Sequence, residues 1–320
     1  MSGAAELLDS RPTTAPAVTA CYDVLDLCRA CGITDFTDGK YVDQRNDRTA
    51  YLEAQRRQAE YLLDQIDCRS GTRILDIGCG YGRILEAATA RGAEAVGITI
   101  SPPQVTVNRS RGLDVHLCNY RELFLDSVHP EWESSFDGLV ANGSLEHFVQ
   151  AEDAAAGLAD ATYTEFFEIC RRLLRPGGKL VTTAIHAREV GQVNPADMAS
   201  GPDGWPKGSV NFHAANLHRS FGGWLPEPGQ LELCAEGCFQ LIAVEDGTHD
   251  YDLTSLYWMR RIKQALLLDP RSWPAAVRSL WHRPRETWWM LKCLLWNRSW
   301  NFQFRPPAPA QLLRQTWQAV

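Results

Sequence analysis

With 320 residues, 45% of them hydrophobic, the chain is long enough to bury one large core with additions. A net charge of −7 and a pI near 5.6 argue against a general nucleic-acid binder, whose phosphate affinity needs clustered Lys and Arg. No run of eighteen apolar residues occurs, so nothing reads as a membrane-spanning helix.

Residues 1–20 are rich in Ala, Pro, Thr and Ser and read as a disordered segment without the charged and apolar parts of a signal peptide. Ten cysteines lie along the chain without a scaffold spacing, so a cytoplasmic protein with reduced thiols is expected. Cys28 and Cys31 form a C-x-x-C pair on a helix predicted over Tyr22–Cys31, with Cys21 two turns earlier. No second ligand spacing follows, so no metal site is expected. A second helix is predicted over Thr49–Ile66, where Tyr51, Ala54, Tyr61 and Leu62 recur at roughly helical spacing. Short apolar runs at Arg73–Ile77, Glu94–Ile98, Asp114–Cys118, Phe136–Ala141 and Lys179–Ile185 then suit strands buried in a parallel sheet. Tyr163–Leu174 is an amphipathic helix that stops at Arg175-Pro176-Gly177-Gly178. This alternation is that of an α/β, doubly wound sheet, in which ligands bind beyond the carboxyl ends of the strands, where Gly78, Thr99, Asn119 and Asn142 would gather.

Phe239–Val244 reads as a sixth strand, and Trp300–Phe304 as a seventh, ended by Pro306-Pro307. Between them, residues 252–299 carry Trp258, Trp273, Trp281, Trp288, Trp289 and Trp296 among nine Arg and Lys residues and only three acids. Such a mixture suits a membrane interface or a lid over an apolar ligand. It equally suits a helical subdomain that buries its tryptophans inside the protein or at a dimer contact. The chain therefore divides into residues 21–251, a core with an N-terminal helical lid; 252–299, a helical insertion; and 300–320, the last strand and tail.

The most informative stretch is Leu75-Asp76-Ile77-Gly78-Cys79-Gly80-Tyr81-Gly82, which ends a strand with alternate glycines and opens a helix. Glycines let the backbone turn sharply against a ligand, and the helix entrance offers unpaired N–H groups. The spacing differs from the G-x-G-x-x-G dinucleotide fingerprint. It resembles the first motif of class I S-adenosyl-L-methionine (AdoMet) methyltransferases, with Asp76 under the methionine part of the cofactor. Gly97-Ile98-Thr99-Ile100-Ser101-Pro102-Pro103-Gln104 resembles the G-x-T-L-S-x-x-Q segment of the cyclopropane-fatty-acid synthase and mycolic-acid methyltransferase family, in which Thr and Gln bind the ribose. A hydroxyl and an amide suit a vicinal diol. Read without the resemblance, the same residues are a helix start with Pro102 at its first position.

The resemblance recurs in order along the chain. Asn119-Tyr120-Arg121-Glu122 is similar to the family's D-Y-R-D segment beside the adenine, and Gly143-Ser144-Leu145-Glu146-His147-Phe148 to its G-x-F-E-H-x stretch. Leu174-Arg175-Pro176-Gly177-Gly178-Lys179, Phe221-Gly222-Gly223-Trp224-Leu225-Pro226, and the spacing of Tyr251, Thr254 and Trp258 follow. The resemblance implies a Rossmann-like class I methyltransferase: a seven-stranded, mostly parallel sheet with N-terminal helices and a helical insertion before the last strand. It implies AdoMet as cofactor, bound by Thr37, Asp76, Gly78, Cys79, Gly80, Gly82, Thr99, Gln104, Asn119, Tyr120, Arg121 and Ala141.

The family removes a proton after methyl transfer with a bicarbonate held by a Cys, the Glu, a His, an Ile backbone and a Tyr. Glu146, Ile185 and Tyr251 fall on three of those positions, Thr183 stands at the His position, and Asp38 lies near the Cys position. Catalytic roles are thus expected for Glu146, Tyr251 and Asp38. Either Asp38 or Glu146 replaces bicarbonate as proton acceptor, or an ordinary nucleophile is methylated by in-line transfer that depends on orientation. His147, His186, His213, His218 and His249 are further candidates for acceptor contact or general base. The expected acceptor is a lipid or another largely apolar small molecule, with peripheral membrane contact through the Trp and Arg segment. A small-molecule methyltransferase of specialised metabolism and a catalytically silent AdoMet-binding protein are the alternatives, and the oligomeric state stays open.

Overall fold

The computed structural model describes residues 24–33, 35–125, 129–306 and 308–320. The segment expected to be disordered, residues 1–20, lies outside the described residues, as do Cys21 and Tyr22; residues 24–30 are helical.

The apolar runs form β1 Arg73–Ile77, β2 Glu94–Thr99, β3 Asp114–Leu117, β4 Phe136–Asn142, β5 Leu174–Ala187, β6 Phe239–Asp246 and β7 Ala310–Ala319. They join one sheet in the order β3-β2-β1-β4-β5-β7-β6. Pairing is parallel from β3 through β5, and β7 runs antiparallel between β5 and β6. Because β1 lies between β2 and β4, the strand order reverses there and opens the crevice at which doubly wound sheets take ligands.

Helices cover both faces. On one, α1 (Arg48–Gln65) and α2 (Arg83–Ala90) place Leu62, Leu63, Ile84 and Ala88 against Ile74, Val140 and Val181. α3, Pro102–Ser110, follows β2. On the other, α4 (Ala159–Leu173) sets Phe166, Phe167, Cys170 and Leu173 against Leu75, Leu139 and Leu180. α1 begins at Asp47, whose side chain accepts from the Ala50 N–H at 2.9 Å, an ordinary N-cap.

A second core sits over the carboxyl ends of the strands. Leu27, Cys28, Cys31 and Ile33 of the N-terminal segment meet Phe221 from α5 (Val210–Phe221) and Tyr251, Trp258 and Ile262 from α6 (Thr248–Leu268). α7 (Trp273–His282) and α8 (Pro284–Leu291) complete the insertion, and α8 contributes Met290. No helix among the described residues is long and apolar enough to cross a membrane.

Two expectations are corrected. Trp300–Phe304 is no strand: Ser299–Phe302 is a short helix, with Asn301 Nδ2 donating to Asp252 Oδ1 (2.6 Å) and Ser255 Oγ (2.9 Å). The last strand is β7, whose signal is hidden by Arg314, Gln315 and Thr316, polar side chains buried among specific partners. The insertion also does not bury its tryptophans as a set. Trp258 is buried, but Trp273, Trp281, Trp288 and Trp296 are exposed.

Candidate active site

Two cavities meet above the carboxyl edge of the sheet. The first, about 920 Å³ with its open mouth, reaches the β1–α2 turn. Thr37, Asp76, Gly78, Cys79, Gly80 and Gln104 line it, all six anticipated from the sequence. Gly78 and Gly80 take φ of 82° and 51°, and a Cβ on Gly80 would meet nothing within 4 Å, so the backbone itself borders open space. Asp76 is 2% exposed and its Oδ1 has no hydrogen-bond partner. Burial, with the Asp35 charge added, pushes its carboxyl up to about 8. A cation placed in this cavity would reverse that shift.

Thr99 and Gln104 are brought together, with Thr99 Oγ1 donating to Gln104 Oε1 at 2.6 Å; only Gln104 faces the cavity. Gly82, expected to bind the cofactor, is not among the lining residues. It is the N-cap of α2 in the left-handed region, and a Cβ there would come within 2.6 Å of Leu113 Cδ1 and 2.7 Å of Asn108 Oδ1. Asn119, Tyr120, Arg121 and Ala141 fall outside the lining too. Asn119 Oδ1 accepts from the Arg121 N–H (3.1 Å), Arg121 Nε donates to Glu165 (2.9 Å), and Tyr120 packs on Phe148 with ring centroids 4.4 Å apart. Ala141 is interior to β4, and its neighbour Asn142 lines the cavity instead. Asp35 and Arg83, paired at 2.8 Å, are lining residues that no local sequence signal announces.

The second cavity, about 1040 Å³ with its mouth, is largely apolar: Met198, Leu217, Trp224 and Phe302 surround Glu146 and Tyr251. Phe36, Gly143, His147, Phe221 and Trp300 belong to both cavities and form the passage between them. Glu146 comes from a short 3-10 turn after β4; its Oε1 accepts from the Ile185 N–H at 2.8 Å, and its Oε2 is buried without a partner. Burial raises its carboxyl to about 7, against the pull of the backbone N–H groups of Glu146 and Ile185. His147 is half-buried at the passage, where desolvation lowers its imidazole to about 4 and keeps it neutral. Tyr251 stacks on Phe304 (4.3 Å, 18°), and burial holds its phenol protonated well above the usual range.

Asp38, expected to be catalytic, is not among the residues that line either cavity. It is 1% exposed and receives Arg314 Nε (3.1 Å), Arg314 Nη2 and Gln58 Nε2 (3.0 Å). Arg314, fully buried in β7, also pairs with Glu245 (2.7 Å) and Asp250 (2.8 Å). Two further bonds, Gly39 N–H to Thr254 (3.0 Å) and Tyr41 N–H to Asp250 (2.8 Å), tie residues 35–41 down as a strap whose Phe36 and Thr37 enter the site. Thr183, at the position where the resemblance has a His, donates to Asn142 at 2.7 Å. Of the other candidate histidines, His213 lines the second cavity, bonded to Ser299 Oγ at 2.9 Å; His186, His218 and His249 lie outside both.

A family model for mycolic acid cyclopropane synthetase matches residues 39–279. Among solved structures, the chain is similar to the cyclopropane synthase MmaA2 from Mycobacterium tuberculosis, with a TM-score of 0.67 at 20% identity, covering 94% of this chain and 97% of that one. It is similar also to the mycolic acid cyclopropane synthase CmaA1 complexed with SAH and CTAB (TM-score 0.66, 20% identity, 94% and 97% covered). These two share its fold. A ubiquinone biosynthesis O-methyltransferase of Xanthomonas oryzae pv. oryzae (strain PXO99A) is 31% identical over 128 residues, 39% of this chain and 48% of that protein. One of Xylella fastidiosa (strain 9a5c) is 34% identical over 128 residues, 39% and 47% respectively. The chain thus spans about half the length of the curated relatives it matches.

Proposed function

Because the chain belongs to the mycolic acid cyclopropane synthetase family, a family of AdoMet-dependent enzymes, we propose that it transfers the methyl group of AdoMet to a lipid or another largely apolar acceptor. The observation that carries this reading is the meeting of two unlike cavities, one bordered by glycine backbone and a buried carboxylate, the other apolar, at a shared passage. When bound, AdoMet supplies an electrophilic methyl group on a sulfonium. The residues present fit it: Asp76 Oδ1 is a buried, unpartnered carboxylate oxygen suited to an ammonium group, and Gln104 presents an amide suited to a ribose diol. Gly80 leaves room for close backbone approach.

The chain's own contribution is orientation and exclusion of water. Phe36, Phe221 and Trp300 bound the passage, so an acceptor held among Met198, Leu217 and Trp224 is presented end-on to the first cavity. A near-attack arrangement in a dry site supplies much of the rate of such a transfer. Where the acceptor must lose a proton, Glu146 Oε2 receives it: one oxygen is fixed by the Ile185 N–H and the other is left for the acceptor. Incubating the protein with labelled AdoMet and extracted cell lipids tests the reading. Label in the lipid fraction supports it, and label found only in water-soluble products rejects the lipid acceptor.

A second reading is favoured by His147. Its imidazole lines both cavities and could contact the hydroxyl of an apolar small-molecule acceptor, whose methylation would give an ether. The atom that carries the label distinguishes the two.

A further inference from the structure

α7 is an amphipathic helix turned the wrong way for a core element. Trp273, Val277, Leu280 and Trp281, at i, i+4, i+7 and i+8, share one face, and they are 48, 66, 44 and 82% exposed. None of its residues is fully buried. The inner face is made by Ala275 and Ala276, which rest on the core over the cavities, and by Ser279, bonded to Thr287 of α8 at 2.7 Å. Leu267 and Leu268 at the end of α6, and Trp288 and Trp296, whose rings lie 5.9 Å apart, are exposed on the same insertion. Large apolar side chains exposed in this number mark an interaction surface.

The charge around it selects the partner. Residues 252–299 contain nine Arg and Lys against Asp252, Asp269 and Glu286, in a chain whose net charge is −7. Lys263, Arg271, Arg278, Arg283, Arg285 and Arg298 are exposed around the patch, and Asp269 is taken up by Arg271 at 2.9 Å. A second copy docked face to face would oppose two such basic surfaces, which is unfavourable. Tryptophan interleaved with arginine on a helix that does not span is instead the composition of an interfacial helix on anionic lipid.

We propose that the Trp273, Val277, Leu280 and Trp281 face of α7, with its surrounding arginines, docks the protein on an anionic lipid bilayer. Docking lays the insertion on the membrane, and the residues that follow α8 in the same insertion and just after it include Leu294 and Trp300 of the cavity walls. The proposal goes beyond the acceptor reading, since docking is measured without turnover.

Sedimentation of the full chain with vesicles of phosphatidylcholine, alone or mixed with phosphatidylglycerol, tests it. The mixed vesicles should carry the protein down, with affinity about tenfold lower on neutral vesicles and falling as salt screens the arginines. A Val277→Ser, Trp281→Ser double variant should lose about tenfold, since an interfacial helix binds through its buried apolar area. Leu117→Ser, removing an equally exposed apolar residue on β3, should sediment like the parent. Failure to sediment with mixed vesicles, or sedimentation of the double variant like the parent, overturns the proposal. So does a parent dimer that the double variant converts to monomer, because the face would then belong to a second copy.

Discussion

The Ile185 backbone N–H donates to Glu146 Oε1 at 2.8 Å, while Glu146 Oε2, buried in the wall of the apolar cavity, has no partner. One oxygen is thus a fixed hinge and the other an available acceptor, on a carboxyl that burial has raised to about 7. Glu146→Gln keeps the shape and removes the base. Turnover should fall about 10²- to 10⁴-fold, the usual worth of a positioned acid or base, with AdoMet affinity within about threefold of the parent by calorimetry. In the parent, kcat should rise with pH through about 7 as the carboxylate forms, and a profile flat from pH 5 to 9 excludes the role.

Asp76 has a linkage signature. Its folded carboxyl is raised from 3.8 to about 8, so the ligand-free protein binds more protons than the unfolded chain in that window, and this residue's contribution to stability declines as pH rises through it. A cationic ligand prefers the ionised form. AdoMet affinity should therefore increase with pH up to about 8, with proton release on binding. Asp76→Asn should weaken binding at least tenfold and abolish that slope, as read by calorimetry in buffers of different ionisation heat.

The two glycines of the β1–α2 turn should respond differently. Gly80→Ala puts a methyl group into open space within the cofactor cavity, so it should weaken AdoMet binding while costing only the left-handed backbone penalty of roughly 1–2 kcal/mol. Gly82→Ala meets Leu113 and Asn108 and should lower the melting temperature further than Gly80→Ala. Equal melting temperatures for the two would contradict the packing role of Gly82.

Arg314 compensates Asp38, Glu245 and Asp250 from a fully buried position. Arg314→Met strands these carboxylates, which typically costs about 3–5 kcal/mol when one partner of a buried pair is removed. The strap should loosen with it. Chemical denaturation measures the first effect, and loss of amide exchange protection at Gly39 and Tyr41 the second.

The sheet was legible because its strands are short apolar runs: β1 was delimited to the residue from Arg73–Ile77, and β2 and β4 within one residue at one end. The first cavity was legible at the β1–α2 turn because glycines at alternate positions after Asp76 leave few other uses for the backbone. β7 escaped because alternation of apolar residues is the cue for a strand, and here the ladder carries Arg314, Gln315 and Thr316 into the interior. The role of Asp38 escaped for the same reason. Its partner lies 276 residues away, and no local pattern encodes an ion pair across that separation. Gly82, Asn119 and Arg121 sit in a motif that names the neighbourhood of the cofactor without saying which side chains turn towards it and which hold the loop.

The pairing of Asp38 with Arg314 imposes an order on biosynthesis. Residues 35–41 are translated some 270 residues before the strand that clamps them. Before that strand is inserted between β5 and β6, the strap already has bonds to α1 and α2, from Gln55 Nε2 to the Thr37 carbonyl (3.0 Å), Gln58 Nε2 to Asp38 (3.0 Å) and Arg83 to Asp35 (2.8 Å). Seating β7 adds the buried Arg314 clamp from the other side, so the segment beside the glycine turn is fastened by two parts of the chain made far apart in time.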